Sequence, residues 1–366
     1  MISWICARLR HQFDRYLVDT ADYRERVLAE CRAFPEGDLF PYVFPVCGYA
    51  NIAIANPTQS AHAREQILKL INLAIPSVTQ LVKPPSGALD KLVNYQDHAV
   101  YLGQLNIALG YYRLIGGDDR FEPIHERVTH TLHDALVATD YKPLWSYPHA
   151  SWPFDTVPCL LSLKLRDHCQ GTNQYGHAIE QHLQWVRKNA TDPQTGLPYS
   201  QLDSMGAADH ELPRGCDISL RLMLMPYLDA QYADVLYQNY ISKYWRRLGP
   251  CGGFSEWPRG IDKFSDMDSG PIFLGIGMAA TGFGVGSASA MGDVRRERLF
   301  SAELRLARAS VLVATNVTRI MNIFTKNFSP SGVNFSPEYF TGFLFGDVCL
   351  FHAASWHPWP SVSSTL

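Results

Sequence analysis

The sequence predicts an all-α fold: an (α/α)6 toroid in which about twelve helices alternate between an inner and an outer ring. Three observations carry this expectation. Strict period-two alternation, the mark of a half-buried strand, is nearly absent. Helical periodicity recurs along the chain, broken by Gly and Pro punctuation such as Lys83-Pro-Pro-Ser-Gly87, Ile115-Gly-Gly-Asp-Asp119 and Asp192-Pro-Gln-Thr-Gly196. The helices also come in two alternating kinds. Those at 62–81, 121–137, 175–189 and 230–246 are amphipathic with a charged face. Those at 46–56, 95–114, 157–168, 217–228, 270–291 and 338–353 are apolar all round or rich in small residues, as buried helices are.

Taken in order, Asp19 to Arg32 is dense in helix formers and gives a first helix over about 18–33. An aromatic loop, Phe34-Pro-Glu-Gly-Asp-Leu-Phe-Pro-Tyr-Val-Phe-Pro45, leads into the small-residue helix ending before Pro57. Ile67, Leu70, Ile71 and Ala74 form the stripe of the next, and Val100, Leu102, Leu105, Ile107 and Leu109 make the helix after it apolar. Tyr175 to Lys188 sets Ile179, Leu183 and Val186 against Glu180, Gln184 and Arg187. Gly249 to Pro258 reads as a loop or short hairpin, and 324–336 as irregular. Inside the 270–291 helix, Gly282-Phe-Gly-Val-Gly286 reads as close packing rather than phosphate binding, because no strand precedes it. The whole chain, 1–366, is expected to be one domain, with loose ends at about 1–15 and from Trp356 onward.

Composition narrows the function. A net charge of −3 gives no basic footprint for nucleic acid. Aromatic residues make up 12%, which suits an aromatic-lined cavity. The eight cysteines form no C-x-x-C pair, and most lie in apolar runs as buried thiols, which points to a reducing, cytoplasmic setting. No signal peptide and no membrane helix is visible, and no His/Cys/Asp/Glu cluster has metal spacing, so neither cofactor nor metal is expected.

Alternation has a consequence for the site. Short links make helix neighbours antiparallel, so every inner helix points the same way and all six positive N-termini open on one mouth. The segments before them are Phe40-Pro-Tyr-Val-Phe-Pro45, Asn94-Tyr95-Gln-Asp97-His98, Trp152-Pro-Phe-Asp155, Arg214-Gly-Cys-Asp217, Asp266-Met-Asp268-Ser269 and Ser336-Pro-Glu338-Tyr339. Each carries aromatic or ionisable groups.

The richest stretch is Trp145-Ser-Tyr-Pro-His-Ala-Ser-Trp-Pro-Phe-Asp155. Asp155 reads either as the N-cap of the following helix or as an acid whose pKa the surrounding rings raise. Asp268, beside Asp266, has the same two readings, whereas Glu256 has no evident capping duty and is the better working carboxylate. Arg214 and Asp217 around Cys216 suggest a buried ion pair. His149 is the histidine of the stretch. The candidate catalytic set is therefore Asp155, Asp268, Glu256 and His149. Tyr95, Ser146, Tyr147, Trp152, Arg214, Trp257 and Gln104 are the candidate substrate contacts.

Residues 95–245 also resemble the linalool dehydratase/isomerase family, cofactor-free (α/α)6-barrel enzymes acting on small terpene alcohols. The resemblance rests on Tyr101-Leu-Gly-Gln-Leu-Asn-Ile-Ala-Leu-Gly-Tyr-Tyr-Arg-Leu-Ile-Gly-Gly-Asp-Asp-Arg-Phe121, on Leu132-His-Asp-Ala-Leu136, on Cys159-Leu-Leu-Ser-Leu163 and on Asp192-Pro-Gln-Thr-Gly196, with a weaker match from Asp266 to Asp293. It implies that Ser146 and Asp155 face the central cavity. It also implies departures in the chemistry. Ser146 and Asp155 stand where that family has its active-site cysteines, and Gln104 where it has a histidine.

The leading expectation is thus a metal-free acid/base lyase or isomerase on a hydroxylated small molecule, with Asp155 as principal acid or base and aromatic walls from Tyr95, Trp152 and Trp257. The alternatives are a carbohydrate-active enzyme, glycoside hydrolase or epimerase, working with paired carboxylates, and a non-catalytic binding protein on the same fold. A homo-oligomer is compatible with the resemblance. Two carboxylates about 5–10 Å apart across an open cleft would favour sugar chemistry, and a closed, mostly apolar pocket around one carboxylate would favour the alkenol.

Overall fold

The computed structural model describes residues 3–361, apart from 32–34, 96, 203–210, 262, 264, 267, 307, 310–335 and 337. Six helices form the inner ring: α3 (Phe40–Ala55), α5 (Ala99–Leu114), α7 (Pro153–Gln170), α9 (Gly215–Leu228), α11 (Met278–Ala290) and α13 (Leu344–Ala354). Each packs against the next, and α13 packs back on α3, so the ring closes. Outside it, α4 (Ser60–Val82) covers α3 and α5, α6 (Glu122–Ala138) covers α5 and α7, α8 (Gly176–Asn189) covers α6 and α7, and α10 (Ala230–Tyr244) covers α9. Residues 294–306, helical and labelled α12, follow α11. The fold is the all-α toroid that the alternation predicts.

The same pattern explains the layers. Every residue of α5 from Ala99 to Tyr112 is buried, so this helix has no solvent face to keep polar. In α8 burial is confined to Ala178, Ile179, His182, Leu183 and Val186, one stripe of an amphipathic helix. Where inner helices come closest, glycine is required. A Cβ on Gly103 would stand 2.7 Å from the Cys159 sulfur, and one on Gly286 would stand 2.7 Å from the Met223 sulfur.

The inner N-termini do share one end. The Ala99 amide of α5 donates to the Trp145 carbonyl before α7 at 3.0 Å. Leu202, before α9, bonds Ser151 at 2.9 Å, and Gly215 at the head of α9 bonds Glu256 at 2.8 Å. Phe40 at the head of α3 stacks on Phe345 at the head of α13, centroids 6.4 Å apart. The opposite end is plugged by the chain after α13. Trp356 Nε1 donates to the Met223 carbonyl at 2.8 Å, and Trp359 stacks on Tyr227 at 4.3 Å.

That plug corrects the expectation of loose ends. Residues 356–361 are anchored, and the first residues form α1 (Ser3–Tyr16), which fully buries Ile5, Leu9 and Phe13. Phe13 stacks on Phe351 of α13 at 5.1 Å. The helix expected over 18–33 is α2 (Thr20–Cys31). The expected loop to Pro45 ends earlier, because α3 starts at Phe40 with Pro41 in its first turn, where no amide donor is needed, and tolerates Pro45. Conversely α13 starts only at Leu344, since Asp347 accepts from the Phe340 and Thr341 amides at 2.7 and 2.6 Å and holds that segment out of the helix. The irregular segment expected at 324–336 lies almost wholly outside the described residues.

Strands are short: β1 (Thr191–Asp192) with β2 (Leu197–Pro198), β3 (Trp245–Leu248) with β4 (Cys251–Phe254), and β5 (Ile272–Phe273) with β6 (Ile276–Gly277), all antiparallel. The last pair takes the place of the expected first two turns of the 270–291 helix. All eight cysteines are free. No helix among the described residues is long and apolar enough to cross a membrane.

Candidate active site

Asp155 lies in the first turn of α7. Pro153 opens that helix and carries no amide hydrogen, and the cap position belongs to Trp152, so the expected capping role of Asp155 is not the one observed. Among the described residues no backbone amide donates to its carboxyl. Asp155 is only 9% exposed, and burial pushes its pKa up to about 8. The Ser146 hydroxyl pulls it back in part, while the charges of Glu36, Asp217 and Asp268 push it further up. The helix N-terminus would lower a carboxylate by less than about one pKa unit, so desolvation wins.

Ser146 is fully buried and fixes the loop over Asp155. Its Oγ accepts from the Trp152 amide at 2.9 Å. Its single proton is shared between the Trp152 carbonyl, at 3.3 Å, and the Asp155 carboxyl.

Glu36 is the partner that sequence reasoning missed. It sits on the 3-10 turn Pro35–Asp38 just ahead of α3. The Leu39 amide donates to its carbonyl at 2.9 Å, and the Asp38 side chain accepts from Tyr42 at 3.2 Å, which ties the turn to α3. Burial raises Glu36 to about 7, and the charge of Asp268 adds to this. Both Glu36 and Asp155 push up the phenol of Tyr101, a buried α5 side chain. Three segments of the mouth thus bring their charges together. The expected mouth segment began at Phe40, four residues past Glu36; the signal available was a carboxylate in the proline-flanked run just before an inner helix.

Aromatic rings continue from this pair. Tyr147 meets Tyr101 edge-on at 5.9 Å and Trp152 at 5.6 Å. The Tyr147 hydroxyl is buried with no hydrogen-bond partner among the described residues, and Trp152 keeps part of its surface open. Tyr95 donates to the Trp145 carbonyl, so it braces the loop rather than facing a ligand.

A second cluster assembles around Arg214. Its Nε bonds Glu256 at 2.8 Å, its Nη2 bonds Asp266 at 2.6 Å, and Asp268 lies 4.0 Å away. Glu256 is completely buried and also accepts from the Cys216 amide and thiol, each at 3.0 Å. Glu256 therefore does have a capping duty, at the head of α9, contrary to expectation. Its buried position is satisfied by a cation, an amide and a thiol, and nothing of it is left for a substrate. The expected Arg214–Asp217 ion pair does not form among the described residues: Arg214 turns to Glu256 and Asp266, and Asp217 pairs with Arg221 at 3.1 Å.

Several other candidates do not join Asp155 and Glu36 as working groups, and Asp268 reaches both only through its charge. Trp257 is 3% exposed and lies under Arg214 and Lys263, so it is no cavity wall. Asp268 is exposed, and Gly277 rather than Asp268 caps α11. His149 is exposed on a turn at φ 65°, against Trp145. Gln104 lines a closed interior void of about 10 Å³ with Phe44, Cys47, Leu161 and His352, space for roughly one water. No group of metal-binding side chains occurs among the described residues.

No protein-family model matches the sequence. Among solved structures the chain is similar to a GH76 alpha-mannanase from Bacteroides thetaiotaomicron, at 11% identity over 92% of this chain and 94% of that one, with a TM-score of 0.49. At that distance no residue or activity is carried across. The helical architecture implied by the linalool dehydratase/isomerase resemblance stands on the ring contacts themselves; membership of that family does not follow.

Proposed function

We propose that this protein is a carbohydrate-active enzyme of the glycoside hydrolase type, with Asp155 as general acid and Glu36 as its basic or nucleophilic partner. One observation carries the reading: two carboxyls from different inner-helix segments, Asp155 buried and Glu36 half-buried, are both raised toward neutrality by desolvation, and the charge of Glu36 adds to the shift of Asp155. Two acids whose environments push them above the ordinary range, one further than the other, divide the labour of acid and base. Asp155 is raised further than Glu36, so as pH rises the Glu36 carboxyl ionises first and Asp155 is the one that holds its proton longer. Asp155 would protonate the departing glycosidic oxygen, and Glu36 would attack the anomeric carbon or activate water. The partly open ring of Trp152 and the hydroxyl of Tyr147, unpartnered among the described residues, suit stacking and hydrogen bonding to a sugar.

The lyase or isomerase reading called for one carboxylate in a closed apolar pocket. The apolar void beside Gln104 does not include Asp155, and a second raised carboxyl, Glu36, acts on Asp155; that plurality supports the sugar reading. A pure binding role is disfavoured by Asp155 itself, since a buried acid without a cation is a stability burden.

The test is a panel of aryl glycosides, screened beside small alkenols, with wild type, Asp155→Asn and Glu36→Gln. Glycoside turnover falling on the order of a hundredfold or more in both variants supports the assignment. Undiminished turnover in Asp155→Asn, or alkenol turnover with no glycoside turnover, overturns it.

A further inference from the structure

Beside the mouth, the β5–β6 hairpin presents an apolar tip to solvent. Phe273 is 69% exposed, Leu274 65% and Met278 53%. The connection is the two residues Leu274 and Gly275, at φ 50° and 77°. Positive φ at both positions is the type I′ turn, which favours Asn, Asp or Gly. Leucine there is costly twice: about 1 kcal/mol or more of backbone strain, and an exposed branched side chain. Folding gains nothing from either.

The surroundings of the tip are basic. The Arg246 guanidinium lies against Gly275, and β4 packs on β6, so the β3–β4 hairpin is its neighbour. That hairpin adds exposed Arg247 and Leu248, and exposed Lys243, Arg259 and Lys263 follow nearby. Between 243 and 259 the sole acidic residue is Glu256, which is buried and paired, while Glu303 of α12 accepts from the Gly252 amide at 2.6 Å and exposed Asp268 precedes β5. A basic field on a chain of net charge −3 is a local departure from the whole. Apolar wedge residues ringed by arginine and lysine match an anionic lipid surface, which takes the rings into its interface and attracts the cations.

We infer that the Phe273–Leu274 tip and the arginines beside it dock the toroid on anionic membrane surfaces, with the mouth turned toward the lipid. The inference does not depend on the glycosidase reading, because it rests on other residues beside the same mouth.

Sedimentation with vesicles of phosphatidylcholine alone, or with a third of phosphatidylglycerol, tests it. Wild type should bind the anionic vesicles and be released by added salt. Arg246→Glu with Arg247→Glu should weaken binding on the order of tenfold. Phe273→Asp with Leu274→Asp should abolish it. Leu274→Asn guards against misfolding as the explanation, since it relieves the turn and should unfold at equal or higher denaturant while binding less. Absence of binding to anionic vesicles, or binding indifferent to the tip, overturns the inference. So does a wild-type oligomer that the tip variants dissociate without any vesicle binding, which would make the patch a contact between copies.

Discussion

Replacing Asp155 by Asn should make the protein more stable and less active at once, and the size of the gain depends on pH. An acid whose folded pKa is raised binds more protons folded than unfolded, so its contribution to stability declines as pH rises from the unfolded pKa to the folded one. With an unfolded value near 3.9 and a folded value of about 8, the penalty is about 1–2 kcal/mol at pH 5 and about 4 kcal/mol at pH 7. Asn keeps the shape, cannot ionise and escapes the penalty. The assay is denaturant unfolding of both proteins from pH 5 to pH 8. The buried histidines His125, His182 and His352, each held near 4 by burial, add an opposite slope, but they are common to both proteins and cancel in the difference. The stability gap should therefore widen by roughly 3 kcal/mol between pH 5 and pH 7. Parallel curves would mean that Asp155 is not held protonated, and the general-acid assignment would fall with that result.

Other consequences are measured more simply. The pH–rate profile on a turned-over glycoside should be a narrow bell with limbs near 7 and 8, and Glu36→Gln should remove the acidic limb from whatever activity survives. Arg214→Leu should destabilise by about 3–5 kcal/mol in denaturant unfolding, because it leaves Glu256 buried without its cation. Trp359→Ala should lose about 2 kcal/mol, since it unstacks the plug from Tyr227 and Tyr111; a change within error would show the C-terminal segment to be dispensable.

The layers of this fold were legible because burial writes itself into composition. A helix sealed on all sides, such as α5, has no polar stripe to show, and an outer helix such as α8 must show one. The ends were less legible. Ser3 to Tyr16 mixes arginine and histidine among its apolar positions, so its fully buried Ile5, Leu9 and Phe13, at i, i+4 and i+8, did not stand out. The tail after α13 has no periodicity at all, and its order comes from two tryptophans finding rings on other helices. Both are tertiary effects, which local propensity does not encode.

The site was half legible, and the contrast between Asp155 and Glu256 shows where sequence reasoning stops. Both sit beside an aromatic residue in a proline-containing run, Phe154 before Asp155 and Trp257 after Glu256. Burial raises both. What separates them is the next neighbour in space. Around Glu256 the guanidinium of Arg214 and the thiol and amide of Cys216 oppose the shift; around Asp155, three further carboxylates reinforce it and one serine opposes it. Arg214 is 42 positions away from Glu256 along the chain, so no local pattern could have assigned the cation to one acid and denied it to the other. The distinction is open to measurement. Glu256→Gln retains an acceptor for Cys216 and should lower stability while leaving both limbs of the pH–rate profile where they are. If that substitution shifts a limb, Glu256 belongs to the proton-transfer pair after all, and the division between strut and acid drawn from their neighbours is wrong.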